Sequence, residues 1–287
     1  LTAIYAIVVG KGYKSFNFSE IDKGLLARMA KYSIVLIPNS FMWWIMNSSD
    51  RIMVSSMISV AANGIYAVSY KLPTLVSTLT TIFNQAWSYS AIREEGTADE
   101  SEYNNKIFKV LIGIVMLTGI GILTFAKPFL SVYVSKEYYI AWKYMPFLTV
   151  GCVYLTMASF MATSYTVHKD SFGYLFSGMF GAIFNIVMNF ILIPLIGVYG
   201  AAIATCISYI LVFVFRLFHT RKYIKYNIKN KEFLLGSIIL FLSAALMYVD
   251  NWSGFGLQCF LLLVVICLFS DIWLPIVRKM FQLKRRQ

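Results

Sequence analysis

The sequence predicts an all-α integral membrane protein, a polytopic helical bundle, and three observations carry that prediction. Hydrophobic residues make up 59% of the 287 and charged residues 13%, against about 45–50% and about 25% in an ordinary soluble domain. The apolar residues fall in blocks near the length that crosses a bilayer, because a hydrocarbon core of about 30 Å takes around 20 helical residues. Each block is continuously apolar, whereas the strands of a membrane barrel would alternate over segments of about ten residues.

Apolar runs near 33–55, 63–91, 108–134, 144–166, 172–195, 198–218, 233–249 and 256–276 give eight expected spans. The opening "LTAIYAIVVG" reads as the tail of a ninth, since it is apolar, short and lacks an initiator Met. The chain is therefore expected to be the C-terminal part of a longer protein. A cleaved signal peptide fits poorly, because no basic region precedes the run and no small-residue cleavage site follows it.

Orientation follows from where Lys and Arg sit. With the C-terminus cytoplasmic, the inner side holds nineteen of them, in 11–31, 91–106, at Lys169, in 216–232 and in the tail from Arg278. The outer side holds four, Arg51, Lys127, Lys136 and Lys143. The net charge of +12 thus reports topology and contact with anionic headgroups, and a nucleic-acid partner has no independent support. The connections are short, so function is expected within the bundle or at its surfaces. The most polar of them, "REEGTADESEYNNK" at 93–106, is expected to be a solvated connector.

Motifs of catalysis and metal binding are missing from the sequence. His168 and His219 stand at the inner ends of different spans, and Cys152, Cys206, Cys259 and Cys267 lie in apolar runs without CxxC spacing. That pattern assembles no zinc site or triad, and the sequence holds no GxxxxGK[ST] loop. No enzyme activity, cofactor or metal is expected.

Polar residues inside spans carry the remaining signal, because a charge at mid-bilayer costs roughly 2.5–3.5 kcal/mol on insertion scales and should face the bundle interior. In 63–91, Lys71, Thr74, Thr78, Thr81, Gln85 and Ser88 recur at helical spacing, one polar stripe down a helix, with a kink expected at Pro73. Such a stripe serves either helix packing or the lining of a cavity, and the Lys71 ammonium favours the cavity. In 33–55, Asn39, Trp43, Asn47 and Asp50 share one face and Trp44, Ser48, Arg51 and Ser55 a neighbouring one. Asp50 and Arg51, about 100° apart on a helix, are not natural partners, and both are expected to meet water or another helix in an outward-facing vestibule. In 181–210, Gly181, Asn185 and Asn189 share a face, an Ile-Pro turn is expected at Pro194, and Gly197, Gly200, Ala201, Ala202 and Ala204 follow it, small residues that let two helices pack closely.

The run "NFILIPLIGVYGAAIATCISYI" resembles the N-x-x-L-I-P-x-x-G-x-x-G-A-A-x-A-T segment of polysaccharide flippases, within the multidrug/oligosaccharidyl-lipid/polysaccharide exporter superfamily. "IPNSFMWWIMNSSDRIMVSSMISVAANGIYAVSYKLPTLVSTLTTIFNQAW" is similar to the first two spans of the C-terminal lobe in that family. The resemblance implies two six-helix lobes around a central cavity. This chain would supply the second lobe over 33–218, a basic cytoplasmic connector over 219–232, an additional helix pair over 233–276 and a basic tail over 277–287. Residues 1–32 would end a preceding span and link to the lobe.

The resemblance implies a flippase of the cell membrane that moves a polyprenyl-pyrophosphate-linked oligosaccharide outward by alternating access, with Lys71, Arg51, Asp50, Asn47, Thr74, Thr78, Gln85, Asn185 and Asn189 lining the cavity. Its partners would be the anionic lipid-linked oligosaccharide, membrane lipids, the missing N-terminal lobe and envelope glycan assembly proteins. A multidrug cation antiporter of the same superfamily would want more cavity carboxylates, and a membrane-embedded glycan polymerase or glycosyltransferase would want a sizeable catalytic loop.

Overall fold

The computed structural model describes residues 22–93, 99–228, 230–249 and 251–274, and among these every regular element is helical. Helix α1, Lys23–Met57, starts where the Asp22 carboxylate accepts hydrogen bonds from the Gly24 and Leu25 amides at 2.8 and 3.1 Å, satisfying donors that a helix start otherwise leaves open. It is longer than the run at 33–55, because its first turns are polar and escape an apolar count. Ser59 caps α2, Val60–Ser69, by accepting from the Ala62 amide at 3.1 Å.

The stripe expected along one helix over 63–91 is divided between two, α2 and α3, Pro73–Arg93. Pro73 disfavours a helical conformation in the residue before it but suits the first turn of a new helix. The result is a break rather than a kink, and Lys71 lies in the turn. Hydrogen bonds from the Lys71 amide to the Val68 carbonyl (3.1 Å) and from Thr74 Oγ1 to the Lys71 carbonyl (2.8 Å) hold that turn.

Helix α4, Glu100–Tyr133, begins before the apolar run at 108, so part of the polar 93–106 stretch is helical and carries an exposed Glu102–Lys106 ion pair at 2.7 Å. Residues 94–98 lie outside the described residues. A 3₁₀ turn, Tyr139–Lys143, leads to α5, Met145–Val167, then α6, Ser171–Ile196, and α7, Val198–His219. Among the described residues, four helices are long and apolar enough to cross a membrane: α4, α5, α6 and α7 taken with its 3₁₀ extension to Lys222. Helices α8, Lys231–Leu246, and α9, Trp252–Leu268, complete the order.

Helix α5 is the centre of the bundle, packed on α7, α3 and α4 and touching α6 and α8. Its central face holds Met157, Phe160 and Met161 without exposure. Phe160 stacks on Trp87 of α3 and Phe108 of α4, both at 5.3 Å, so three helices share one aromatic joint. Helix α6 lies against α1 and α7 and leaves Phe172, Phe176, Ile183 and Val187 exposed along its other side. Helices α8 and α9 pack on each other and on α4.

The basic connector does more than link. Ile224 and Tyr226 are buried while Lys225 and Asn227 are exposed, the alternation of an extended chain. The Asn105 side chain holds it, donating to the Lys225 carbonyl at 3.1 Å and accepting from the Asn227 amide at 2.7 Å. Tyr226 bonds Ser164 at 2.8 Å.

Candidate functional site

Helices α1, α2, α6 and α7 converge on Asp50. Its carboxylate is 1% exposed and accepts hydrogen bonds from Thr205 Oγ1 at 2.5 Å, Asn189 Nδ2 at 2.6 Å and the Tyr66 hydroxyl at 3.0 Å. Asn189 also donates to Asn185 Oδ1 at 3.1 Å, and Ser49 Oγ donates to the same oxygen at 2.9 Å. The spacing of 185 and 189 brings both amides to one face of α6, one turn apart, and α1 crosses that face.

Asp50 was expected to meet water or another helix in an outward-facing vestibule; it meets other helices, buried where α6 and α7 close over that side of α1. No ion pair to Asp50 is present among the described residues. A buried carboxylate with neutral hydrogen-bond donors and no counter-charge has a large desolvation cost, and a proton or a small cation relieves it. Asn189 Oδ1 is buried with no hydrogen-bond partner, on the amide whose Nδ2 bonds the carboxylate. Carboxylate, hydroxyl and amide oxygens are hard donors, suited to a hard cation rather than a transition metal. Tyr66, Thr205 and Ser49 were not singled out in the sequence. Their only signal there is Thr205 within the small-residue run.

The other expected residues form a second, exposed group. Arg51, Lys71, Thr74, Thr78, Thr81 and Gln85 are all exposed, on the side of α1 and α3 that no described element covers. Thr78 and Thr81 turn their hydroxyls onto the Thr74 and Ser77 carbonyls, both at 3.0 Å, so the ridge presents threonine methyls and one ammonium more than free hydroxyls. The side chains of Asn39, Trp43, Asn47 and Ser88 lie outside the described residues. Structure therefore separates the expected site into a buried carboxylate cluster and an exposed cationic ridge.

At the other, basic end of the bundle, Arg216 is fully buried. Its Nε donates to Ser177 at 3.0 Å and its Nη1 to the Ala158 carbonyl at 2.9 Å, tying α7 to α6 and α5. The sequence placed Arg216 among the headgroup-facing charges; a long side chain that starts one turn inside the helix end reaches inward as easily as outward. Nearby, Asp170 caps α6 by accepting from the Gly173 amide at 2.8 Å and bonds Lys222 at 2.8 Å and Tyr223 at 2.9 Å. Partial burial pushes its carboxyl up, and the Lys222, Gly173 and Tyr223 bonds outweigh this and hold it below the ordinary value. Among the described residues, no group of three His, Cys, Asp or Glu gathers to hold a metal.

This bundle is found in known exporters. An outward-facing multidrug-resistance MATE-family transporter of the MOP superfamily matches with a TM-score of 0.55 at 21% identity, over 76% of this chain and 52% of that one. The chain shares its fold with that transporter. A second member of the superfamily, a transporter from Pyrococcus furiosus, gives a TM-score of 0.55 at 22% identity over the same shares. The lipid II flippase MurJ in an inward closed conformation gives 0.50 at 18% identity, over 79% of this chain and 52% of that one. The family described as polysaccharide biosynthesis protein matches residues 13–143. That match includes the 37–87 segment on which the resemblance rested and stops before 189–210. An uncharacterized membrane protein of Methanocaldococcus jannaschii is 31% identical over 72 residues, 25% of this chain and 14% of that one. The chain spans about half the length of the exporter structures it matches. The chain is an all-α, multi-pass membrane protein with the helical fold of these structures.

Proposed function

We propose that the chain forms one lobe, over 33–218, and an additional helix pair, over 233–276, of a flippase that moves polyprenyl-pyrophosphate-linked oligosaccharide across the cell membrane during envelope polysaccharide biosynthesis. The observation that carries this reading is the helix break at Lys71. Non-helical backbone at membrane depth persists only where protein buries it or a water-filled cavity bathes it, and Lys71 is exposed on a face that no described helix covers. A second lobe facing that side would enclose a cavity, with Lys71 and Arg51 offering charge-assisted hydrogen bonds to a pyrophosphate.

With the C-terminus and the basic end cytoplasmic, the interior-negative potential favours outward movement of an anion by about 2.3 kcal/mol per charge per 100 mV. Coupling to Na⁺ or H⁺ is therefore not an energetic necessity. The Asp50 cluster nonetheless offers a place for either, with Asp50, Thr205 and Asn189 Oδ1 as the oxygens that would hold a Na⁺. A cation antiporter would present carboxylates to its cavity, whereas the exposed ridge here presents cations.

The test is export of the glycan by the full-length protein. Lys71→Met abolishes export at normal membrane abundance, and Lys71→Arg retains part of it because a cation remains. Full export by Lys71→Met overturns the reading.

A further inference from the structure

We infer that the basic end of the bundle carries a binding site for an anionic glycerophospholipid, between the first turns of α1 and the α5–α6 turn. A cavity of about 730 Å³ lies there, bounded by Leu25, Arg28, Met29 and Lys31 on one side and by Thr166, Lys169, Asp170, Ser171 and Phe172 on the other. Two sets of residues far apart in the chain thus form one pocket, held by the packing of α1 on α6.

The lining has two chemistries. Arg28, Lys31 and Lys169 are exposed cations, and the carboxylate beside them, Asp170, is engaged by Lys222, Tyr223 and the Gly173 amide. Asp22, at the head of α1, spends its carboxylate on the Gly24 and Leu25 amides. The pocket therefore presents net positive charge, with the Thr166 and Ser171 hydroxyls as further polar contacts. Next to the cations, Leu25, Met29 and Phe172 are 49%, 59% and 59% exposed and form an apolar rim.

A free phosphate would use the cations and leave the rim wet. A zwitterionic lipid would use the rim and bring its own cation to three others. An anionic glycerophospholipid satisfies both, with its phosphate on Arg28, Lys31 and Lys169 and its chains along Leu25, Met29 and Phe172. Lys169 adds a separate indication. Its φ of 55° is the left-handed region, which Gly or Asn adopts more readily than a long side chain. A lysine kept in that conformation points to a use for the ammonium.

The experiment uses the full-length protein in neutral detergent and follows thermal unfolding as lipid is added. Dioleoyl phosphatidylglycerol raises the midpoint; dioleoyl phosphatidylcholine and soluble glycerol phosphate do not. Arg28→Gln, Lys31→Gln and Lys169→Gln each weaken the apparent phosphatidylglycerol affinity about fivefold per charge removed, while Lys136→Gln and Lys143→Gln at the opposite end leave it unchanged. All five side chains are on the surface or partly so, and an unaltered midpoint without lipid confirms that each variant is folded. Equal shifts with both lipids, or a triple variant that binds phosphatidylglycerol as the parent does, overturns the proposal. A full shift with glycerol phosphate alone overturns the lipid and makes the pocket a site for a soluble phosphate.

Discussion

Thr205 Oγ1 donates a 2.5 Å hydrogen bond to the Asp50 carboxylate across a separation of 155 residues. The same hydroxyl lies 3.3 Å from the Tyr66 hydroxyl, so α1, α2 and α7 meet at one oxygen. Removing the carboxylate takes a hydrogen-bond partner from three buried groups at once.

Asp50→Ala should destabilise the protein by at least about 1–3 kcal/mol, the cost of leaving a buried donor without a partner, seen as lower membrane abundance and a lower unfolding midpoint. Asp50→Asn keeps the shape and part of the bonding and should fold. If the cluster takes a hard cation, exchanging choline chloride for NaCl raises the midpoint of the parent and not that of Asp50→Asn. The same increment in both proteins excludes Asp50 as a Na⁺ ligand.

Gly200 lies where the α6–α7 hairpin is tightest. A Cβ there would overlap the Leu192 carbonyl and crowd the Ile193 amide, backbone that cannot swing away. Gly200→Ala should cost about 1–3 kcal/mol of stability as overpacking, and Gly200→Leu should sharply reduce the folded protein recovered from membranes. Gly256, with nothing within 4 Å of the added atom, is the control: Gly256→Ala should be tolerated. Thermal unfolding of the three variants side by side decides it.

Asp170 gives the stability a pH dependence of known sign. Its carboxyl is held below the ordinary value, so its contribution is complete above the ordinary carboxylate pKa of about 3.9 and is lost as pH falls through the lowered folded value. Asp170→Asn should unfold at a lower temperature than the parent at pH 7, and the gap should close on acidification. A gap that persists unchanged at pH 3 would show that the Lys222 and Tyr223 bonds are not its source.

The charge asymmetry predicts sidedness. In a background with Cys259→Ser and Cys267→Ser, Asn251→Cys should react with an impermeant thiol reagent on intact cells and Asn230→Cys should not. Equal labelling would reverse or dissolve the topology.

The helical, membrane-spanning character was legible because hydrocarbon imposes one rule on every residue it touches, and long continuous apolar blocks can satisfy it only as helices, but the break that splits the 63–91 block into two helices was not. The α6–α7 hairpin was legible for a related reason, since Gly197 and Gly200 act through their own backbones, although α6 runs through Pro194, where the turn was expected, and ends at Ile196. Asn185 and Asn189 could be placed on one face because a helix repeats every 3.6 residues.

Which of those faces meet was decided by tertiary structure alone. Periodicity put Asp50 on a face of α1, and only the crossing of α1 by α6 and α7 made that face interior. Tyr66 looks like one more aromatic in an apolar run, and its role depends on the break at 70–72 that sets α2 apart from α3. Arg216 counts as one more inner-side charge until α5 and α6 supply the Ala158 carbonyl and Ser177 that hold it. The sequence by itself determined the solvent, the helices and the small residues of the hairpin, since these follow from each segment's own composition and backbone. The carboxylate cluster, the buried arginine and the cationic pocket at the basic end depend on side chains from segments up to about 150 residues apart, and contact between them is a property of packing.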